Sequence, residues 1–164
     1  MVRIGVVGAG TMGHGIAQVS AAAGYDVVLA DADQATLDRA LVKITNNLDK
    51  AVEKGKLDAD ARRDALARIA TGTLEDAARS ADLLVEAVPE KLALKQALFQ
   101  AAERVAPPHC VLATNTSSLS VAAIASAVQD AGRVIGAHFF NPVHLMTLLE
   151  VVVAPATRPD VRSE

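Results

Sequence analysis

Short apolar runs alternate along the chain with stretches whose apolar residues recur every three or four positions. The short runs predict strands at residues 3–7, 26–30, 83–87, 111–114, 134–137 and 148–153, with a weaker one at 69–73. Those beginning at Leu83 and Val111 are apolar on both faces, as strands buried in a parallel sheet are. Helical spacing predicts helices at 11–23, 92–105 and 120–127. Alternating strands and helices of this kind define an α/β chain with a doubly wound, mostly parallel sheet.

Between the second strand and Ile69 the pattern changes. Leu37, Leu41, Ile44, Leu48 and Val52 form one apolar stripe, Gly55 is placed to end that helix, and Asp58 to cap another whose apolar face uses Ala61, Ala65, Leu66 and Ile69. A helix from Asp33 to Lys54 would be ~33 Å long at ~1.5 Å per residue. That is long for a crossover, so a helical hairpin (about residues 33–69) is expected to be inserted after the second strand and to stand off the sheet. The chain stops in polar residues 157–164, just after its last strand, as if another element should follow.

Composition narrows the picture. Hydrophobic residues make up 51% of the chain and aromatics 2%, so the core must be built from Ala, Val, Leu and Ile. The net charge of −3 argues against a nucleic-acid or membrane-surface partner. One cysteine, Cys110, can form no internal disulfide, and a reducing cytoplasm fits. The first apolar run, from Ile4 to Val7, is too short for a signal peptide, and no stretch is apolar for long enough to span a bilayer. No metal-ligand set is read from the sequence.

Gly8-Ala9-Gly10-Thr11-Met12-Gly13 gives G-x-G-x-x-G between a strand and a helix. Gly8 permits the tight turn, Gly10 lets the backbone approach a pyrophosphate, and Gly13 lets helix and strand pack closely. The helix N-terminus adds free amides and partial positive charge for the phosphates. Asp31 ends the next strand, where an acid accepts hydrogen bonds from the adenosine ribose and repels a 2′-phosphate. Asp33 adds to that repulsion and no arginine is adjacent, so NAD is expected rather than NADP, in a Rossmann-like fold.

His138 sits at the C-terminal end of a predicted strand, the edge where open α/β sheets bind ligands. Oxidising an alcohol with NAD needs a base for the hydroxyl proton, and histidine titrates in the right range. Glu150, in the next predicted strand, could hold the imidazole and stabilise imidazolium. Taken alone, a histidine is more often structural. His14 and His109 are read so, and His144 is assigned no role. Asn115-Thr116-Ser117-Ser118 supplies short polar side chains at the same edge, though such a run more often caps a helix or makes a turn. Read on their own, Glu90 and Lys95 are solvated surface.

With GxGTMGxGIAQ at 8–18, LVEAVPE at 84–90, NTSSLS at 115–120 and HFFNPV at 138–143, the sequence closely resembles the 3-hydroxyacyl-CoA dehydrogenase family, particularly its bacterial 3-hydroxybutyryl-CoA members. The resemblance covers essentially the whole chain. It implies NAD-dependent oxidation of an L-3-hydroxyacyl-CoA to the 3-oxoacyl-CoA, or the reverse reduction, as in β-oxidation of fatty acids. It implies His138 as general base, Glu150 as its partner and Ser117 as a hydrogen bonder to the reacting oxygen. Gly8 to Gly13, Asp31, Glu90, Lys95 and Asn115 match positions that line the NAD site. Asn47, Lys54 and Asn141 match substrate-contacting positions. The first two lie on one helix face with Lys50 nearby, where coenzyme A phosphates could meet them; a solvated polar face is the alternative for that arm.

Family members continue into an all-helical second domain that carries the dimer interface, closes over the substrate and adds a catalytic asparagine. This chain, an NAD-binding domain over 1–164, ends before it. The surface such a domain covers is expected near Phe139, Phe140, Leu145, Met146 and Leu148. Two rival readings stay open: another NAD-dependent β-hydroxyacid dehydrogenase, though those use a catalytic lysine and lack HFFNP, and a non-catalytic NAD-binding module. A 3-hydroxyadipyl-CoA enzyme is equally compatible.

Overall fold

A computed structural model describes residues 2–162. Five parallel crossovers and one hairpin build the sheet. The strands are β1 (Arg3–Val7), β2 (Asp26–Ala30), β3 (Ile69–Gly72), β4 (Leu83–Glu86), β5 (Val111–Thr114), β6 (Val134–Phe139) and β7 (Leu149–Val152), in the spatial order β3-β2-β1-β4-β5-β6-β7. All neighbours run parallel except β6 and β7. The strand order reverses between β1 and β4, so the crevice for a ligand opens beyond the carboxyl ends of these two strands.

The period-two alternation of side chains decides which helical layer each residue joins. Ile4, Val6, Val27, Leu29, Val85, Val111 and Ala113 point to the layer of α1 (Gly13–Ala22), α2 (Gln34–Glu53) and α3 (Ala59–Ala67). Val7, Ala30, Leu84 and Leu112 point the other way, to α4 (Leu74–Arg79), α5 (Leu92–Glu103) and α6 (Val121–Ala125). Phe99 is the largest apolar side chain buried in that second layer, and Ala, Val, Leu and Ile fill most of the rest.

The helix pair after β2 is present, but its apolar stripe is part of the main core. Leu37, Ala40, Ile44 and Leu48 are buried in the same cluster as β1, β2 and α1. The pair packs on α1 rather than projecting free of the sheet, because that stripe has nowhere drier to go. Asp33 and Asp58 cap α2 and α3 through the Ala35 and Ala61 amides, and Gly55 takes a positive φ just past α2.

Three differences from the sequence pattern have physical causes. Helix α4 is absent from it because six residues carry no stripe, yet Thr73 and Asp76 close a capping box around its first turn. Strand β6 runs on through His138 to Phe139, because β7 pairs antiparallel with it there. The polar segment after β7 folds back onto β6: Thr157 donates to the Val134 carbonyl at 2.8 Å and Val161 is buried. Ser163 and Glu164, at the end of that run, lie outside the described residues. Leu145, Met146 and Leu148 are exposed as expected, whereas Phe139 and Phe140 are half-buried. Among the described residues no helix is long and apolar enough to cross a membrane.

Candidate functional site

The glycine loop follows β1 at the reversal of strand order. Gly8 has φ +98°, and a Cβ there would meet the Ala87 carbonyl group at 2.7 Å. A Cβ on Gly13 would collide with the Gly8 carbonyl oxygen, so only glycine lets α1 start so close to the turn. At Gly10, by contrast, a Cβ would meet nothing within 4 Å, which leaves open room above the loop. No side chain caps α1, so none competes with an anion for the amides at its start.

Asp31 closes the other side of this room. Its carboxylate accepts from the Ala9 amide at 2.8 Å and the Asp33 amide at 3.0 Å, tying the glycine loop to the β2–α2 connection. Each carboxylate oxygen keeps a lone pair for a ribose hydroxyl. Gly8, Gly10, Thr11, Met12, Asp31, Ala32, Thr36 and Val88 are among the residues lining a cleft of about 990 Å³. The loop, the free helix end, the acid and this volume together fit a dinucleotide.

No arginine is adjacent to Asp31 in sequence, but α2 carries Arg39 back to the same corner. Its Nη2 donates to Thr36 Oγ1 at 2.8 Å and lies 3.5 Å from Asp33 Oδ2.

A second cavity of about 330 Å³ adjoins the first, sharing Met12, Ala87 and Val88. Glu90, Asn115, Ser117, His138, Phe139, Phe140 and Asn141 complete its lining. His138 on β6 and Glu150 on β7 are register partners, with Nδ1 3.1 Å from Glu150 Oε2. A carboxylate can only accept, so Nδ1 carries the proton and Nε2 is left to exchange one with a ligand. Asn115 accepts from the Phe139 amide at 2.8 Å, fixing the turn after β5 to the histidine strand.

Beneath this cavity lies a buried charge network whose central member the sequence did not single out. Glu86, at the end of β4, is 0% exposed and Lys95, on α5, is 1% exposed. Lys95 Nζ donates to Glu86 at 2.7 Å and lies 3.2 Å from Glu90 Oε2. Glu86 also accepts from Thr114 Oγ1 and the Val88 amide, each at 2.7 Å. Lys95 is therefore not solvated surface; it lies under the cavity and meets it through Glu90. Glu90 in turn accepts from the Thr116 hydroxyl and from the Ser117 and Ser118 amides. Partial burial pushes the Glu90 carboxyl up, but the Thr116 hydroxyl, the Lys95 ammonium and the Ser118 amide outweigh it and hold it at about 2. The signal for Glu86 was an acid inside an otherwise apolar strand, which demands a buried partner.

The remaining candidates lie elsewhere. Asn47 and Lys54 line neither cavity: Asn47 donates to Gln18 on α1 at 3.0 Å, and Lys54 ends α2 in solvent. His14 Nδ1 donates to the Gly10 carbonyl, and His109 bonds Asp82. His144 is pushed down by partial burial and then by the positive charges of His14 and Lys50. Burial pushes the Cys110 thiol up to about 11, which keeps it an inert core residue.

Fold and site together define a Rossmann-type NAD-binding domain with a histidine–carboxylate pair at the far end of its groove. The family model for the NAD-binding domain of 3-hydroxyacyl-CoA dehydrogenase matches residues 3–164, and the chain belongs to that family. It is 44% identical over 158 residues to the 3-hydroxyadipyl-CoA dehydrogenase of Escherichia coli K12, covering 96% of this chain and 33% of that protein. It is 46% identical over 151 residues to a probable 3-hydroxybutyryl-CoA dehydrogenase of Deinococcus radiodurans, covering 92% of this chain and 54% of that one. The crystal structure of 3-hydroxybutyryl-CoA dehydrogenase from Escherichia coli K12 superposes with a TM-score of 0.96 at 42% identity, over 99% of this chain and 34% of that one. The chain thus spans between a third and about half of these relatives.

Proposed function

We propose that this chain is the cofactor-binding half of an NAD-dependent L-3-hydroxyacyl-CoA dehydrogenase acting in a reducing cytoplasm. The observation that carries the reading is the 3.1 Å contact between Glu150 and Nδ1 of His138, which lines the cavity adjoining the dinucleotide cleft. A dinucleotide held by the glycine loop and Asp31 would supply the acceptor for hydride from the alcohol carbon, or the donor in the reverse direction. His138 Nε2 takes the hydroxyl proton as that hydride leaves, so the 3-hydroxyl becomes a 3-oxo group. Glu150 holds the Nδ1–H and stabilises the imidazolium, and the Ser117 hydroxyl bonds the reacting oxygen. Glu90 and Asn115 position the loop that carries Ser117, and Asn141 contacts the substrate beside it. On the arm, Asn47, Lys50 and Lys54 offer donors and positive charge to the phosphates of coenzyme A.

Glu150 is 59% exposed, so the pair as it stands is open to water on its carboxylate side. Positioning and water exclusion are worth ~7–11 kcal/mol of barrier in well-held systems. This chain by itself is therefore expected to bind NAD but to turn over very slowly, with the rest of the relatives' length completing the site and carrying the dimer contact. Oxidation of NADH by acetoacetyl-CoA tests this, measured with the chain alone and with a relative's C-terminal portion added. A rate that appears on addition is expected. Full rate from the chain alone would contradict the division of labour, and no rate in either case would contradict the dehydrogenase reading.

A further inference from the structure

Asp31, Asp33 and Arg39 meet at one corner of the dinucleotide cleft. Asp31 accepts two backbone amides and faces the cleft. Asp33 caps α2 through the Ala35 amide and accepts the Thr36 hydroxyl at 2.7 Å. That hydroxyl bond, ahead of Arg39 itself, holds the Asp33 carboxyl below the usual carboxylate range, so the acid is charged near neutrality. Arg39 stacks one turn further along α2, with one nitrogen on Thr36 Oγ1 at 2.8 Å and 3.5 Å from Asp33. Thr36 is itself part of the cleft wall.

Ala32 and Thr36 form the cleft wall beside Asp31, so a 2′-phosphate on a ribose held by Asp31 would sit next to Thr36 and its partners Asp33 and Arg39. Two carboxylates repel it there. A guanidinium attracts it, because only Nη2 of Arg39 engages Asp33 and Thr36, which leaves the three N–H groups on Nε and Nη1 to face a phosphate oxygen that matches the fork. The side chain is 64% exposed, so it can turn toward a ligand without leaving a core.

We propose that Arg39 sets how strictly the site rejects a 2′-phosphorylated dinucleotide: Asp31 and Asp33 exclude the phosphate, and Arg39 keeps that exclusion incomplete. It follows that the NAD preference is a balance of opposed charges at one corner rather than an absence of any phosphate-binding group. Arg39 Nη2 bonds Thr36 and Asp33, not Asp31 or the glycine loop, so its removal is expected to act mainly on the phosphorylated cofactor.

Calorimetric titration of this chain with NADH and NADPH reads the effect, and no acyl-CoA enters the experiment. Failure of the dehydrogenase reading would therefore leave this result standing, and the reverse. Arg39→Ala is expected to keep NADH affinity within about twofold and to weaken NADPH about tenfold, the worth of one charge-assisted contact. Asp31→Asn should narrow the gap between the cofactors by about tenfold or more, and adding Arg39→Ala should remove most of that gain. The Asp31→Asn background keeps the test decisive where wild-type NADPH binding is weak. NADPH affinity indifferent to Arg39 in that background would overturn the proposal. So would NADH and NADPH affinities falling by the same factor in Arg39→Ala.

Discussion

His138 and Glu150 are register partners across β6 and β7, with Nδ1 3.1 Å from Oε2. The ladder itself sets that separation, since residues directly opposite on antiparallel strands have neighbouring Cβ atoms. The histidine is 19% exposed and the glutamate 59%, so the imidazole is held from the solvent side.

Cutting that hold is the first test of the pair. Glu150→Ala frees the ring to rotate and to change tautomer, and should lower turnover about a hundredfold. NADH affinity, read by titration, should not change, because Glu150 is not among the residues lining the dinucleotide cleft. Equal loss of both would make Glu150 a structural residue.

Lys95→Met leaves Glu86 charged and enclosed, with no cation to compensate it. Breaking a buried pair from one side costs ~3–5 kcal/mol, measured here as a lower urea midpoint. Adding Glu86→Leu should recover part of the loss, not all, because the Thr114 hydroxyl and Val88 amide then lack their acceptor. A single variant as stable as wild type would mean that the pair bears no folding role.

Acid should weaken the turn after β5 through Glu90. Its carboxyl titrates near 2 folded and near the ordinary 4.5 unfolded. The folded state is then the weaker proton binder, and the stability this gives is complete above about pH 4.5 and lost as pH falls toward 2. Glu90→Gln should flatten that part of the profile. Thermal unfolding between pH 2 and pH 6 would show it, and parallel profiles for the two proteins would exclude Glu90 as the source.

Much of this was legible in the residue pattern for identifiable reasons. Strands β4 and β5 are apolar on both faces, and the stripe on α2 runs about four turns from Leu37 to Val52, so neither could be mistaken. The glycine loop and His138 were legible because their residue types are needed at a strand's carboxyl end. Lys95 was not, since a lysine in an amphipathic helix reads as solvated until its buried partner Glu86 is seen across the fold. Arg39 was missed for a similar reason: adjacency in sequence is a poor guide on a helix, where residues three apart stack. The folding back of the segment after β7 was not legible, because its anchors, Thr157 and Val161, are spaced among polar residues.

The proton-transfer role of His138 is the central claim, and one substitution measures it most directly. NADH consumption with acetoacetyl-CoA would be followed in the chain combined with a relative's C-terminal portion, comparing wild type with His138→Gln. The account predicts a fall of ~10²–10⁴-fold in turnover, the usual worth of a positioned acid–base group, with NADH affinity unchanged. Wild-type turnover from the glutamine variant, with its fold intact by circular dichroism, would contradict it.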